Sequence, residues 1–184
     1  MRSGKIALVL VMLVAVAAVT HAQQDVQVFV PGNTSGYFGN RADMIVPLVQ
    51  AITVSGPGTI TVIYVSGTVT DAGNVNTGPN GVKWNTGGAQ TPLQEAQSVS
   101  GGTIHNLDAL IGAFVPASRV NRTGFNAIDG TKDATQVGIR PGWLSLIGTG
   151  KTFSVTEPGT LFLGINDWIV GDNGGGFNVE VTGP

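Results

Sequence analysis

Apolar and polar residues alternate along much of this chain with the two-residue period of β-strands. The clearest case is Phe177–Val181, where apolar residues at 177, 179 and 181 enclose Asn178 and Glu180. Successive side chains of a strand point to opposite faces, so this pattern is typical of a strand with one buried face. Other short segments, rich in β-branched residues and bounded by Gly, Pro, Asn or Asp, follow the same rule: Val26–Val30, Met44–Val54, Ile60–Val69, Ala109–Val115, Trp143–Ile147 and Thr160–Ile165.

No segment combines a helical apolar period with a plausible cap over ten residues. The chain is therefore predicted to be all-β, with roughly seven to nine strands in a sandwich or jelly roll. Two long connections, Thr70 to Leu107 and Pro116 to Pro141, are predicted as loops, and loops of this length are usually either functional or disordered. Gly148–Thr152 is similar to the end of a phosphate-binding P-loop, but Ser145 replaces the first glycine and strand-like alternation follows. A hairpin turn is predicted there instead.

The first 22 residues predict a secretory signal peptide. Arg2 and Lys5 precede an apolar run that ends at Val19, and residues 20–22 resemble a cleavage site before Gln23. The apolar run is short for a membrane span. The mature chain is then predicted to be a single β-sandwich domain, residues 23–184, that is secreted or periplasmic and has no membrane span.

Composition and motifs narrow the function classes. Without the signal segment, seven scattered basic residues stand against eleven acidic ones, which argues against a nucleic-acid partner. The chain has no cysteine and hence no disulfide framework. His105 is the only histidine after residue 22, and strand alternation places Asp108 on the opposite face, so no catalytic dyad is implied. Neither a Gly-x-Ser-x-Gly nor a His-Glu-x-x-His motif occurs, and we predict that the protein is not an enzyme.

The loop before the last strand is crowded with side-chain oxygens. Asn166, Asp167, Asp172 and Asn173 lie within eight residues, and Asn173 is followed by Gly174. Asn-Gly alone is a strong turn signal, so two carboxylates and two amides are more than a turn needs. Hard oxygen ligands of this kind suit Ca²⁺, which takes six to eight of them. The alternative, that these residues only form turns, stays open.

Three segments resemble the PA-IL-like bacterial galactophilic lectins. These are Ile60–Val69 with the loop that ends in Gly78-Pro79-Asn80-Gly81, then Ala109–Gly112, and finally Gly159–Val181. The resemblance implies a galactose-binding-domain-like jelly-roll sandwich and a bound Ca²⁺ that coordinates sugar hydroxyls. It places the calcium ligands on the side chains of Asp167, Asp172 and Asn173 and on backbone carbonyls at Asp71 and near Ile169. Whether Asp71 ligates through its carbonyl or through its carboxylate stays open.

The same resemblance implies a galactose-like carbohydrate as partner. Candidate ligand-binding residues are Trp168, Trp84, Asn85 and Asn166. Trp168 either stacks on a sugar face or folds back on the sandwich as a lid. Where the family has an acidic residue and a histidine after Gly-Pro-x-Gly, this chain has Val82 and no histidine before His105. An alternative function therefore stands beside the lectin one: a structural or adhesive module, open to oligomerisation, in which calcium only rigidifies the loops.

Overall fold

The structure, a computed structural model, describes residues 22–34, 48–71, 76–84, 104–120, 144–167 and 169–184. These residues form antiparallel strands with very little helix, which confirms the all-β class. The strands are β1 (Gln24–Pro31), β2 (Val49–Val54), β3 (Gly58–Thr70), β4 (Asn76–Thr77), β5 (Val82–Trp84), β6 (Ile104–Leu107), β7 (Leu110–Pro116), β8 (Leu144–Leu146), β9 (Gly150–Val155), β10 (Gly159–Ile165) and β11 (Gly174–Gly183). A short helix α1 (Ala117–Val120) and a single 3-10 turn (Val170–Asp172) complete the described elements.

The strands form two main antiparallel sheets and a small third one. In the first sheet the strand order is β1-β11-β3. On the edge of β3 that faces away from β11, β9 pairs with the first part of β3 and β4 pairs with its last two residues. The second sheet has the order β2-β10-β7-β8, and β5 pairs with β6. Strands β1, β3 and β10 finish at the same end of the molecule, where β7 and β11 begin. We call this end, with the turns and loops attached to it, the loop end.

The core lies between the two main sheets and follows the alternation read from the sequence. Phe177, Val179 and Val181 of β11 are all fully buried, as predicted. The Phe177 ring meets Tyr64 edge to face, with 5.9 Å between the ring centroids. The second sheet contributes the opposing side chains, among them Ile52, Val54, Leu110, Leu161, Leu163 and Ile165. Burial of these apolar side chains from both sheets is the main stabilising term of the fold.

Two predicted turns connect strands of different sheets. The turn around Gly148 joins β8 of the second sheet to β9 of the first, so the hairpin prediction for that segment is wrong. The acidic loop likewise runs from β10 in the second sheet to β11 in the first. Alternation reports that a strand has a buried face, but strands of both sheets bury a face against the same core. The pattern therefore cannot distinguish a hairpin from a crossing between sheets.

The segment predicted as one long loop from Thr70 to Leu107 contains β4, β5 and β6 in its described parts. These strands have two to four residues each, too few for alternation to stand out in the sequence. Within the described ranges, no helix is long and apolar enough to cross a membrane.

Candidate functional site

Asp167 and Asn173, both predicted as calcium ligands, meet at the loop end. Asp167 is the second residue after the end of β10 and is only 5% exposed. Its Oδ1 accepts a hydrogen bond from the Ile169 backbone N–H at 3.2 Å, which folds the loop back over the carboxylate. Its Oδ2 accepts one from the Asn173 side-chain amide at 2.9 Å. The loop therefore brings the two predicted ligands into direct contact.

Asp108 is a third member of this cluster, and the sequence interpretation missed it. Its side chain is fully buried at the turn between β6 and β7. Asp108 Oδ1 lies 3.5 Å from the Asn173 amide nitrogen, and Oδ2 accepts a hydrogen bond from the Thr77 hydroxyl at 3.4 Å. A signal was present in the sequence, because Asp108 interrupts the apolar run from Leu107 to Val115, and a buried carboxylate needs partners.

The charges of the cluster interact strongly. Burial, together with the negative charges of Asp167 and Asp71, raises the pKa of Asp108 from 3.8 to about 7. The hydrogen bonds from Thr77 and Asn173 oppose this shift without cancelling it. Asp71, which directly follows β3, therefore belongs to the same electrostatic group. Neighbouring carboxylates repel one another when they are ionised, and a bound cation relieves this repulsion. The three carboxylates therefore favour a bound cation.

The side-chain nitrogen of Asn173 contacts the carboxylates of both Asp108 and Asp167. Besides the two carboxylates, its side-chain nitrogen donates to the backbone carbonyl of Gly32 at 3.2 Å. Its Oδ1, by contrast, is buried and has no hydrogen-bond partner among the described residues. A buried acceptor without a donor is uncommon in folded proteins and marks a place for an unseen partner. This amide oxygen beside the carboxylates of Asp108 and Asp167 fits a hard cation such as Ca²⁺.

In the described part of the chain, no group of three or more Asp, Glu, His or Cys side chains is arranged to hold a metal ion by itself. A cation at the loop end would consequently need amide, backbone and water oxygens beside the carboxylates. Calcium sites commonly draw on all of these.

The remaining predicted residues occupy different positions. Asp172 is exposed on the 3-10 turn, and Ile169 precedes that turn. Asn166 is fully buried, and its amide donates to the Asn106 carbonyl at 2.8 Å. Trp168, Asn85 and the side chain of Trp84 lie outside the described residues, and their ligand contacts stay predictions.

The Gly-Pro-Asn-Gly segment forms a tight turn beside the cluster. The Gly81 N–H donates to the Gly78 carbonyl at 2.9 Å, and the Pro79 carbonyl accepts from the Leu110 N–H at 3.0 Å. Gly81 has a φ of 69°, and a Cβ there would lie 2.5 Å from the backbone of Asn106 and Leu107. Only glycine fits this close approach. The packed turn follows Thr77 directly and so helps to place its hydroxyl beside the buried carboxylate.

No protein-family model matches this chain, and a comparison with curated proteins finds no significant match. The functional argument therefore depends on the residues at the loop end and on their geometry.

Proposed function

We propose that this is an exported calcium-dependent carbohydrate-binding protein with a galactose-binding-domain-like jelly roll. The observation that carries the proposal is the meeting of Asp108, from the β6–β7 turn, with Asp167, from the β10–β11 loop, at the single amide of Asn173. Two loops that are distant in sequence thus place oxygen atoms that can ligate a metal at one end of the sandwich. A hard cation is the partner that such a donor set selects.

In this proposal, Asp167, Asp108 and the free Oδ1 of Asn173 hold Ca²⁺, and Asp71 adds an oxygen from the end of β3. Backbone carbonyls and water complete the six to eight ligands that the ion takes. A sugar with suitably oriented vicinal hydroxyls replaces some of that water. The ion then supplies affinity, while Trp168 and Trp84, the candidates from the sequence, determine which sugar face is accepted.

A structural or adhesive module in which calcium only rigidifies the loops is the second candidate. The depth of the cluster favours it, because Asp108 is fully buried and Asp167 nearly so. An ion held only by these residues would have little coordination left for a ligand from solution. Asp71 and Asn173 are only partly buried, which favours the lectin proposal.

A glycan array probed with and without chelator separates the two candidates. We expect binding to glycans with vicinal hydroxyls in Ca²⁺, and loss of that binding in EDTA, because the ion bridges protein and sugar. Asp167→Asn should lose binding, whereas Asp25→Asn should retain it. Asp25 is the matched control because it is exposed near the start of β1, at the opposite end of the strand. If folded, calcium-loaded protein binds no glycan on the array, the structural module becomes the better proposal.

A second measurement concerns Trp168, which follows Asp167 in the sequence. If its indole stacks on the sugar, Trp168→Ala should weaken glycan binding by about 1 kcal/mol, the scale of an aromatic contact beyond area burial. Calcium affinity should stay unchanged, since an indole offers the ion no oxygen. Unaltered glycan affinity in this variant would assign Trp168 to the lid instead.

A further inference from the structure

We infer that Asn166 is a positioning residue of the cation site, which it serves by holding the turn that presents Asp108 beside Asp167. The inference rests on the proposed calcium site and adds a residue that does not touch the ion. The sequence analysis assigned Asn166 as a ligand-binding residue. In this inference it instead holds two loops together by hydrogen bonds, and we call this set of hydrogen bonds the clamp.

Asn166 bonds to three of the four residues 106–109. Its side-chain amide donates to the Asn106 carbonyl at 2.8 Å. Its backbone carbonyl accepts from the Asp108 N–H at 3.0 Å, and its backbone N–H donates to the Ala109 carbonyl at 2.9 Å. The residue is fully buried, so these bonds form away from competing water. One residue at the end of β10 therefore sets the position of the whole turn.

The turn needs such a clamp because its backbone is strained. Asn106 and Asp108 have φ angles of 59° and 61°, in the left-handed region that L-residues other than glycine seldom adopt. Asn and Asp tolerate this region better than other side chains, yet such conformations persist only where surrounding contacts hold them. Repulsion from the neighbouring carboxylates also acts to move Asp108 away. Without the Asn166 amide, both effects favour a relaxed turn.

The clamp lies next to a proposed ligand in the chain. Because Asn166 precedes Asp167, fixing the turn to Asn166 fixes the Asp108 carboxylate relative to the Asp167 carboxylate. A cation then finds both groups already in place and does not have to order the turn on binding. Residues that orient metal ligands in this way typically contribute 10- to 100-fold in metal affinity.

The test is a calorimetric titration of the metal-free full-length mature protein with Ca²⁺. We expect Asn166→Ala to weaken calcium binding about 10- to 100-fold. Asn178→Ala should change it less than about twofold, because this matched variant removes an amide that donates to Ser66 Oγ at 3.2 Å on the outer face of the first sheet. Titrations are made where near-ultraviolet circular dichroism shows the variants folded, so lower stability alone cannot produce the effect.

The double variant Asn106→Gly/Asn166→Ala provides a second readout. Glycine adopts the left-handed conformation without strain, so the turn needs the clamp less and part of the calcium affinity should return. If Asn166→Ala does not fold alone, the comparison is made between Asn106→Gly and this double variant, where the double variant should still bind more weakly. Wild-type affinity in a folded Asn166→Ala protein overturns the positioning role. Absence of calcium binding by the wild type overturns the calcium site itself, and the inference with it.

Discussion

Metal-free protein is expected to lose stability as the pH rises from about 4 to about 7. Asp108 has a pKa of about 7 in the folded state, against 3.8 for the ordinary side chain. Between these values the folded protein holds a proton that the unfolded chain has released, so stability falls with rising pH. The contribution is fully present below about pH 4 and is lost as the pH passes through the folded pKa.

The effect is large for a single side chain. A displacement from 3.8 to about 7 corresponds to at most about 4 kcal/mol of unfolding free energy. Asp108→Asn should remove this contribution and stabilise the metal-free protein at pH 7 to 8, because it replaces a buried charge by a neutral group of the same size. Asparagine also tolerates the left-handed backbone at this position. Urea unfolding from pH 4 to pH 8 in the presence of EDTA measures the difference.

Asp25→Asn is the control for this experiment, since Asp25 is exposed at the far end of β1 and its substitution should leave the pH profile unchanged. Other carboxylates also titrate in this window, so the difference between the Asp108→Asn and wild-type profiles is the relevant quantity. Parallel profiles for the two proteins would contradict the raised pKa of Asp108. Saturating Ca²⁺ should flatten the wild-type profile, because the ion displaces the proton.

Calcium is expected to raise the melting temperature of the wild-type protein. A ligand that binds only the folded state contributes about 2.7 kcal/mol at 100 times its dissociation constant. For a domain of this length, that corresponds to an increase of roughly 5–10 °C. Asp167→Asn should abolish the increase, because it removes a carboxylate at the centre of the cluster. Differential scanning calorimetry of protein stripped of metal, with and without added Ca²⁺, gives both values.

Asp172→Asn tests how far the family resemblance extends. The resemblance makes Asp172 a ligand, but its side chain is exposed on the 3-10 turn, and the buried carboxylates of the cluster belong to other residues. From the structure, we expect Asp172→Asn to retain most of the calcium response that Asp167→Asn loses. Equal losses in the two variants would return Asp172 to the ligand set. An unchanged melting curve of the wild type on adding Ca²⁺ would contradict the calcium site.

The amino-acid sequence by itself determined the fold class and half of the candidate site. Strand alternation is a local property, so the buried positions 177, 179 and 181 could be read directly and are buried in the structure. Asp167 and Asn173 were also accessible to sequence reasoning, because they lie in one short loop with more side-chain oxygens than a turn requires. Where a group of ligands is contiguous, the sequence alone displays it.

Only the tertiary structure decided which strands share a sheet and which residues complete the cluster. Asp108 is 59 residues from Asp167 in the sequence, and their approach depends on β7 and β10 pairing so that Leu110 faces Ile165. The role of Asn166 could not be predicted from the sequence for the same reason, because its amide reaches the turn at Asn106 only when these two strands pair. Pairing depends on the packing of two sheets against one core, a property of the whole chain. Local sequence patterns report burial and turns, and they carry no information on distant partners.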